Sequence, residues 1–372
     1  MAFKYRADHV GSLLRPKELL DLRHDPKASA ETLRATEDRE ILRALEKQKE
    51  LGFKIFTDGE LRRHGFMSDF HESVDGLDMQ GAIDRNWHSA GNATAVATPT
   101  SRPVAGIVVE KLRKKKRLTE HEVAFLKEHS PGDIKMTLPS ANQFPAITYR
   151  KGISDKVYPT HSELLWDIVP IIQSEIQALV GEGVKYIQID APRYSYFIDP
   201  KWRQYIKDEM GMDPNQALDE AIRADNACLE GARRAGVVLA IHLCRGNNRS
   251  QWYAQGGYDP IAEKVFNQLD VDAFLLEYES ERAGTFEPLR FVPQGKNVVL
   301  GLVSSKLAQL ESQEDLVQRI EEAGKFMPLQ NLALSPQCGF ASTMEGNLLA
   351  EEQQWRKLGL VAQTARKVWG DA

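Results

Sequence analysis

Residues 163–192 read ELLWDIVPIIQSEIQALVGEGVKYIQIDAP, and this stretch decides the fold. Apolar residues recur at helical spacing from position 163 to 181, Gly181 and Gly183 close the pattern as helix C-caps do, and the apolar run YIQIDAP follows at once. A helix emptying directly into a short strand is half of a βαβ unit. The same alternation extends in both directions. Strand-like runs occur as ADHVGSL (7–13), KIFTDGE (54–60), IKMTLPS (134–140), YIQIDAP (186–192), VVLAIHLC (237–244), AFLLEYE (273–279), VVLGLVS (298–304) and LALSPQCG (332–339). Helical patterns over 31–51, 216–236 and 312–327 lie among the intervening segments. Strands alternating with helices imply parallel pairing, and eight units predict an α/β chain folded as one (β/α)8 TIM barrel over residues 1–372. A doubly wound sheet would usually carry G-x-G-x-x-G after its first strand, and the chain has none. Residues 86–130 break the repeat between strands two and three. They hold the small-residue stretch GNATAVATPT, a strand candidate at 103–110 and the basic run KLRKKKR (111–117), and are expected to form a rim insertion or lid.

Composition narrows the function. Lys+Arg 48 against Asp+Glu 53 gives a net charge of -5, which argues against nucleic acid as a partner. The basic run therefore reads first as a solvated face, with attraction of a polyanionic substrate tail as its functional alternative. The mean hydropathy is -0.42, no apolar run near membrane-spanning length is read, and the first nine residues lack the apolar core of a signal peptide. A cytoplasmic protein with no membrane partner is expected. Three cysteines cannot build a disulfide framework, so buried thiols or metal ligands are the expectation.

In a barrel the chemistry gathers where the strands end. Those ends read Ser12, Glu60, Ser140, Asp190, His242 with Cys244, Glu277, Ser304 and Cys338. His242 and Cys244, two apart on a strand, point the same way, while Glu277 closes the apolar run AFLLE and Cys338 stands at a strand-to-loop break. One nitrogen, two sulfurs and one oxygen suit tetrahedral Zn²⁺. Each alone also has a plain reading as a packed side chain, as has Cys228 in the middle of a helical pattern. Asp190 could accept a substrate amine or cap the next helix, and Glu60 carries the same ambiguity beside Arg62 and Arg63.

These motifs, taken in order, resemble the catalytic half of cobalamin-independent methionine synthase, and more closely the short stand-alone members of that family. His9-Val10-Gly11-Ser12 resembles the family's G-S motif, Asp58-Gly59-Glu60 its G-E motif, and Gln188-Ile189-Asp190 with Pro192 its Q-I-D-x-P. His242-x-Cys244, Glu277 and Pro336-x-Cys338-Gly339 resemble its zinc-ligand motifs. The resemblance implies a zinc-dependent methyltransferase acting on a small thiol, homocysteine above all, with Zn²⁺ on His242, Cys244, Glu277 and Cys338. Ser12, Glu60, Asp190 and Arg245 would bind substrate. The methyl donor would be methyl-folate or another methylated molecule, with a corrinoid or donor protein and a homo-oligomer left open. Two departures stand out. Val303-Ser304-Ser305-Lys306 occupies the place of the family's catalytic histidine, which makes Lys306 the catalytic candidate, and Pro139-Ser140-Ala141 replaces an expected tryptophan. The rivals are a uroporphyrinogen-decarboxylase-like enzyme, a zinc hydrolase, another zinc-thiol alkyltransferase and a non-catalytic zinc-binding or sensing paralogue.

Overall fold

Seven of the eight apolar runs pair into one parallel sheet. The structure, a computed structural model, describes residues 3–81, 88 and 105–371. The strands are β1 (Ile55–Phe56), β2 (Val74–Asp78), β3 (Ile107–Lys114), β4 (Asp133–Pro139), β5 (Tyr186–Asp190), β6 (Val238–Leu243), β7 (Ala273–Glu277), β8 (Asn297–Val303) and β9 (Leu332–Pro336). The main sheet has the order β1-β4-β5-β6-β7-β8-β9, with every neighbour parallel. Helices return the chain between most of these strands, as parallel pairing requires.

The expected first strand is the exception. Residues 7–13 make a single parallel bridge, Ala7 to Leu334 of β9. Asp8 Oδ1 accepts the neighbouring His9 N–H (2.8 Å), and Gly11 turns to φ 142°, so the ladder does not propagate. The segment still touches both sheet edges. Asp8 N–H donates to Leu334 O (2.9 Å), and on the β1 side Leu13 N–H donates to Gly59 O (2.9 Å) and Thr57 Oγ1 to Gly11 O (3.1 Å).

β2 and β3 form a separate antiparallel pair. The strand expected at 103–110 begins at Ile107 and runs on into the basic run. Of the expected insertion 86–130, residues 86, 87 and 89–104 lie outside the described residues; β3 and the helix Glu120–His129 fall within it. The basic run is matched by acids. Lys115 meets Asp75 (3.1 Å), Lys116 meets Glu72 (3.1 Å), and Arg117 meets Glu175 (3.0 Å) and Glu182.

Period-two alternation divides the strands between two cores. Ile187, Ile189, Leu239, Ile241, Leu243, Phe274 and Leu276 pack in the outer core against the helices. Tyr186, Ala240, Ala273, Leu275, Val299 and Ala333 face the other way, into a second cluster with Phe3, Tyr5, Val10 and Ile55. The helix His161–Gly181 corrects one sequence expectation. Over 21 residues it is apolar enough to cross a membrane, yet half of that window is buried inside the fold, including Leu164, Ile168, Ile172 and Ile176. Its hydropathy is that of a core helix.

A charged layer crosses the inner cluster. Lys135 of β4 donates to Asp8 Oδ1 (2.8 Å) and His9 O (2.7 Å), and the Tyr186 hydroxyl donates to Asp8 Oδ2 (2.9 Å). Both side chains of the ion pair are 0% exposed. Removing one member of such a pair strands the other without solvent. Lys135→Ala should therefore cost about 3–5 kcal/mol of stability, read from denaturant midpoints. The double variant Lys135→Met with Asp8→Leu should recover much of that loss.

Candidate metal and substrate site

The sheet register gathers the site. Pro139 pairs with Asp190, and Asp190 with His242, so the ends of β4, β5 and β6 stand in one row. Glu277 ends β7 one step beyond the Leu243–Leu276 pair. Alternation then turns Asp190, His242 and Cys244 to the same inner side as Gln188 and Ala240. The loop after β9 brings Cys338. The His242 ring nitrogens and the sulfurs of Cys244 and Cys338 supply three ligand atoms within 4.8 Å of one another, all buried. The His242 nitrogens meet no oxygen or nitrogen partner, and the ring hydrogen-bonds only toward the Cys338 sulfur. The Cys244 thiol hydrogen-bonds toward Cys338 and, with His242 beside it, holds Cys338 well below the ordinary thiol range.

Two turns bring Ser12 and Glu60 to the same cavity. A Cβ on Gly11 would sit 2.7 Å from Glu60 Oε1, and one on Gly339 would sit 2.0 Å from Ser12 Oγ. Only glycine permits these approaches, and they seat Ser12 and Glu60 beside Cys338 in the chain path. Glu60 adopts φ 56°, a left-handed conformation costing on the order of 1 kcal/mol. Its own N–H to Asp58 Oδ1 (2.8 Å), Arg15 to its carbonyl (3.0 Å) and the Thr137 hydroxyl to Oε1 (2.7 Å) hold it there. Oε2 is buried and has no partner. Burial pushes the Glu60 carboxyl up despite Arg63. Burial likewise pushes Asp190 up to about 7, with the Glu60 charge adding and His242 opposing. Gln188 Nε2 steadies Asp190 Oδ1 at 2.7 Å. Two desolvated carboxyls, one raised further by the other's charge, are arranged for a cation.

One cavity of about 600 Å³ joins the two groups, lined by Ser12, Glu60, Asp190, His242, Cys244 and Cys338 among others. The other three sequence candidates, Glu277, Arg245 and Lys306, are not among its lining residues. Glu277 is fully buried; Arg282 Nη2 donates to its Oε1 (2.8 Å) and the Arg245 N–H to its Oε2 (2.8 Å). Burial raises this carboxyl, but Arg282, Arg245 and Lys306 outweigh it and hold it below the usual range. The Arg245 guanidinium is 0% exposed and is spent on Gly256 O (3.0 and 2.6 Å), the Tyr258 hydroxyl (2.9 Å) and Glu277 O (3.2 Å). It braces the wall from outside the cavity. Lys306 is buried and donates to Gly246 O (2.9 Å), Asn247 Oδ1 (2.9 Å) and Gln251 O (3.4 Å), of which Gly246 and Asn247 line the cavity.

Residues that sequence reasoning missed fill in the remaining wall: Phe66, Gln143, Asn247, Asn248, Ser342 and Thr343. Asn247 and Asn248 gave a signal in the run RGNNR. Ser342 and Thr343 gave none, because their direction depends on how the loop folds back across Ser12.

Residues 14–351 match the catalytic domain of cobalamin-independent synthase. The chain belongs to the cobalamin-independent methionine synthase family. Within the family, YxjH and YxjG of Bacillus subtilis (strain 168), both described as uncharacterized, are each 37% identical over 98% of this chain and 95% of their own. A methionine synthase of Saccharolobus solfataricus is 24% identical over 94% of this chain and 95% of its own. A Listeria monocytogenes structure, provisionally assigned as a vitamin-B12 independent methionine synthase, is 29% identical with a TM-score of 0.74, covering 100% of both chains. The fold is also that of a B12-independent methionine synthase from Shewanella solved with selenomethionine, at 20% identity, a TM-score of 0.74 and 98% and 97% coverage. Family membership makes this an α/β methyltransferase-like protein of methionine metabolism.

The three bonds of Lys306 fasten the loop that carries Asn247 and Asn248 into the cavity. Lys306→Met should release that loop while leaving the sheet intact. Losing a hydrogen bond from a charged group costs about 1.5–3 kcal/mol, so exchange of amide hydrogens over residues 246–251 should accelerate by tenfold or more. Hydrogen-exchange mass spectrometry checks this.

Proposed function

We propose that the protein is a zinc-dependent S-methyltransferase that methylates homocysteine, and that residues 6–13 fill the eighth strand position of a (β/α)8 barrel around its site. One observation carries the reading. A buried His-Cys-Cys group and a pair of carboxyls pushed up by burial line one cavity.

The donors fit the metal. Two sulfurs and an imidazole with no competing hydrogen bond are the ligand types zinc prefers, and three protein ligands leave a fourth position for a substrate sulfur. His242, Cys244 and Cys338 would hold the ion, with Glu277 able to join only by exchanging its Arg282 contact. When bound, zinc keeps the acceptor thiol deprotonated at neutral pH, where a free thiol is only a few per cent thiolate. Glu60 and Asp190 would take the amino acid's ammonium, each ionising fully as the cation enters. Ser12, whose Oγ accepts the Ala341 N–H at 3.3 Å, would orient the backbone end of the substrate. Burial of the cavity excludes water, which strengthens each of these contacts.

The donor side supports two readings. Methyl-folate is the family-level donor, but its N5 leaves poorly unless protonated. The Lys306 ammonium is engaged by three acceptors, and His242 is the sole imidazole lining the cavity among the described residues. A proton for N5 would have to come from Glu60 or Asp190, both pushed up by burial; a donor whose leaving group needs no proton is the second reading. Lys306 then acts by positioning the 246–251 loop.

Metal analysis of metal-replete protein should find one zinc per chain, falling close to zero in Cys338→Ala with the circular dichroism spectrum unchanged. Wild-type protein without stoichiometric zinc would overturn the metal assignment. Glu277→Gln should keep the zinc if His242, Cys244 and Cys338 suffice, and lose it if Glu277 is a ligand. Asp190→Asn should raise the dissociation constant for homocysteine about tenfold or more, since a charged hydrogen bond contributes roughly 1.5–3 kcal/mol. Equal wild-type affinity for a thiol lacking the amine would contradict the ammonium site. Turnover with homocysteine across a panel of methyl donors tests the activity itself.

A further inference from the structure

A second cavity, of about 440 Å³, lies between the loops that follow β4 and β5 and the helices outside them. It shares no lining residue with the first, although their walls are consecutive in sequence: Gln143 and Pro192 face one, Asn142 and Arg193 the other. Its apolar walls include Leu165, Phe197 and Met212. Arg193 is only 2% exposed, yet Nε, Nη1 and Nη2 all lack a hydrogen-bond partner. The Asn142 Nδ2 is buried and unpartnered as well. The Arg193 guanidinium lies over the Tyr196 ring at 4.2 Å and 6.0 Å from the Tyr253 ring, with the Tyr196 hydroxyl beside it, and among the described residues no carboxylate pairs with it.

A desolvated cation with no counter-ion is costly, and a guanidinium edge matches a carboxylate bidentately. We propose that this cavity binds a small carboxylate with an apolar body, gripped at its charged end by Arg193 and Asn142. Leu165, Phe197 and Met212 would take the apolar end. Glu220 also lines the cavity, where it accepts from Ser162 and from Trp166 Nε1 (3.1 Å). Its charge adds a preference for ligands that bear an amine beside the carboxylate.

Isothermal titration of the full chain with phenylacetate, N-acetylmethionine and methionine, against phenylacetamide as the neutral control, tests this. At least one carboxylate should bind saturably at one per chain, and phenylacetamide about tenfold or more weakly than phenylacetate. Arg193→Met should weaken carboxylate binding by a similar factor. Cys338→Ala should leave it unchanged, which separates this cavity from the zinc and homocysteine reading. A stronger response to methionine than to N-acetylmethionine that survives in Asp190→Asn would place the amine at Glu220; equal responses would place the carboxylate alone at Arg193. Absence of saturable binding to wild-type protein, equal binding of the amide, or unchanged affinity in a folded Arg193→Met variant would overturn the proposal. Should that variant not fold, the wild-type comparison of carboxylate with amide decides.

Discussion

Because parallel strands hydrogen-bond at even spacing, Pro139, Asp190 and His242 stand level across β4, β5 and β6, and every group of the cavity takes its place from that row. A slip of one residue in β6 would turn His242 and Cys244 outward and Leu243 inward. The outer core forbids it. Leu239, Ile241 and Leu243 are all 1% exposed or less against the helices, and none has a polar substitute on the inner side. The apolar packing that stabilises the sheet thus also fixes the direction of the thiol and the imidazole.

Charge is distributed across the inner side in layers. Deepest is the Asp8–Lys135 pair, which neutralises itself and fastens the first segment to β4 and β5. Above it, Arg63 meets Glu122 at 2.6 Å and reaches Glu60 at 3.7 Å, so most of its charge is committed before the cavity begins. At the cavity itself the balance is left incomplete: Glu60 Oε2 has no partner, and burial pushes Asp190 up to about 7. Structural charges are paired and ligand-facing charges are not. Arg193 follows the same pattern with the opposite sign.

Much of this was legible in the chain. Seven of the eight apolar runs became strands of one parallel sheet, because short β-branched runs separated by helical patterns have few other ways to bury both faces. Ser12, Glu60, Asp190, His242, Cys244 and Cys338 could be named as cavity candidates because strand ends can be counted from sequence. Glu277 was equally visible as a strand end. Alternation turns it to the inner side with Ala273 and Leu275, but its partner was not predictable: Arg282, five residues on, folds back to take it. For Arg245 and Lys306 the sequence leaves the direction open: a cation in a loop beside a strand end can face the cavity or brace its wall, and the acceptors it meets here are largely backbone carbonyls of other loops.

Local sequence determined which elements form, which face of each strand is apolar, and where glycine permits the approaches at Gly11 and Gly339. These depend on period, branching and the lack of a Cβ, all properties of a few neighbouring residues. Tertiary structure alone decided that three sulfur and nitrogen donors converge, that Lys306 spends its protons on Gly246, Asn247 and Gln251, and that Arg193 is buried with none to spend them on. Those outcomes depend on distances between residues far apart in the chain, which pairing register and loop closure set and no local pattern encodes.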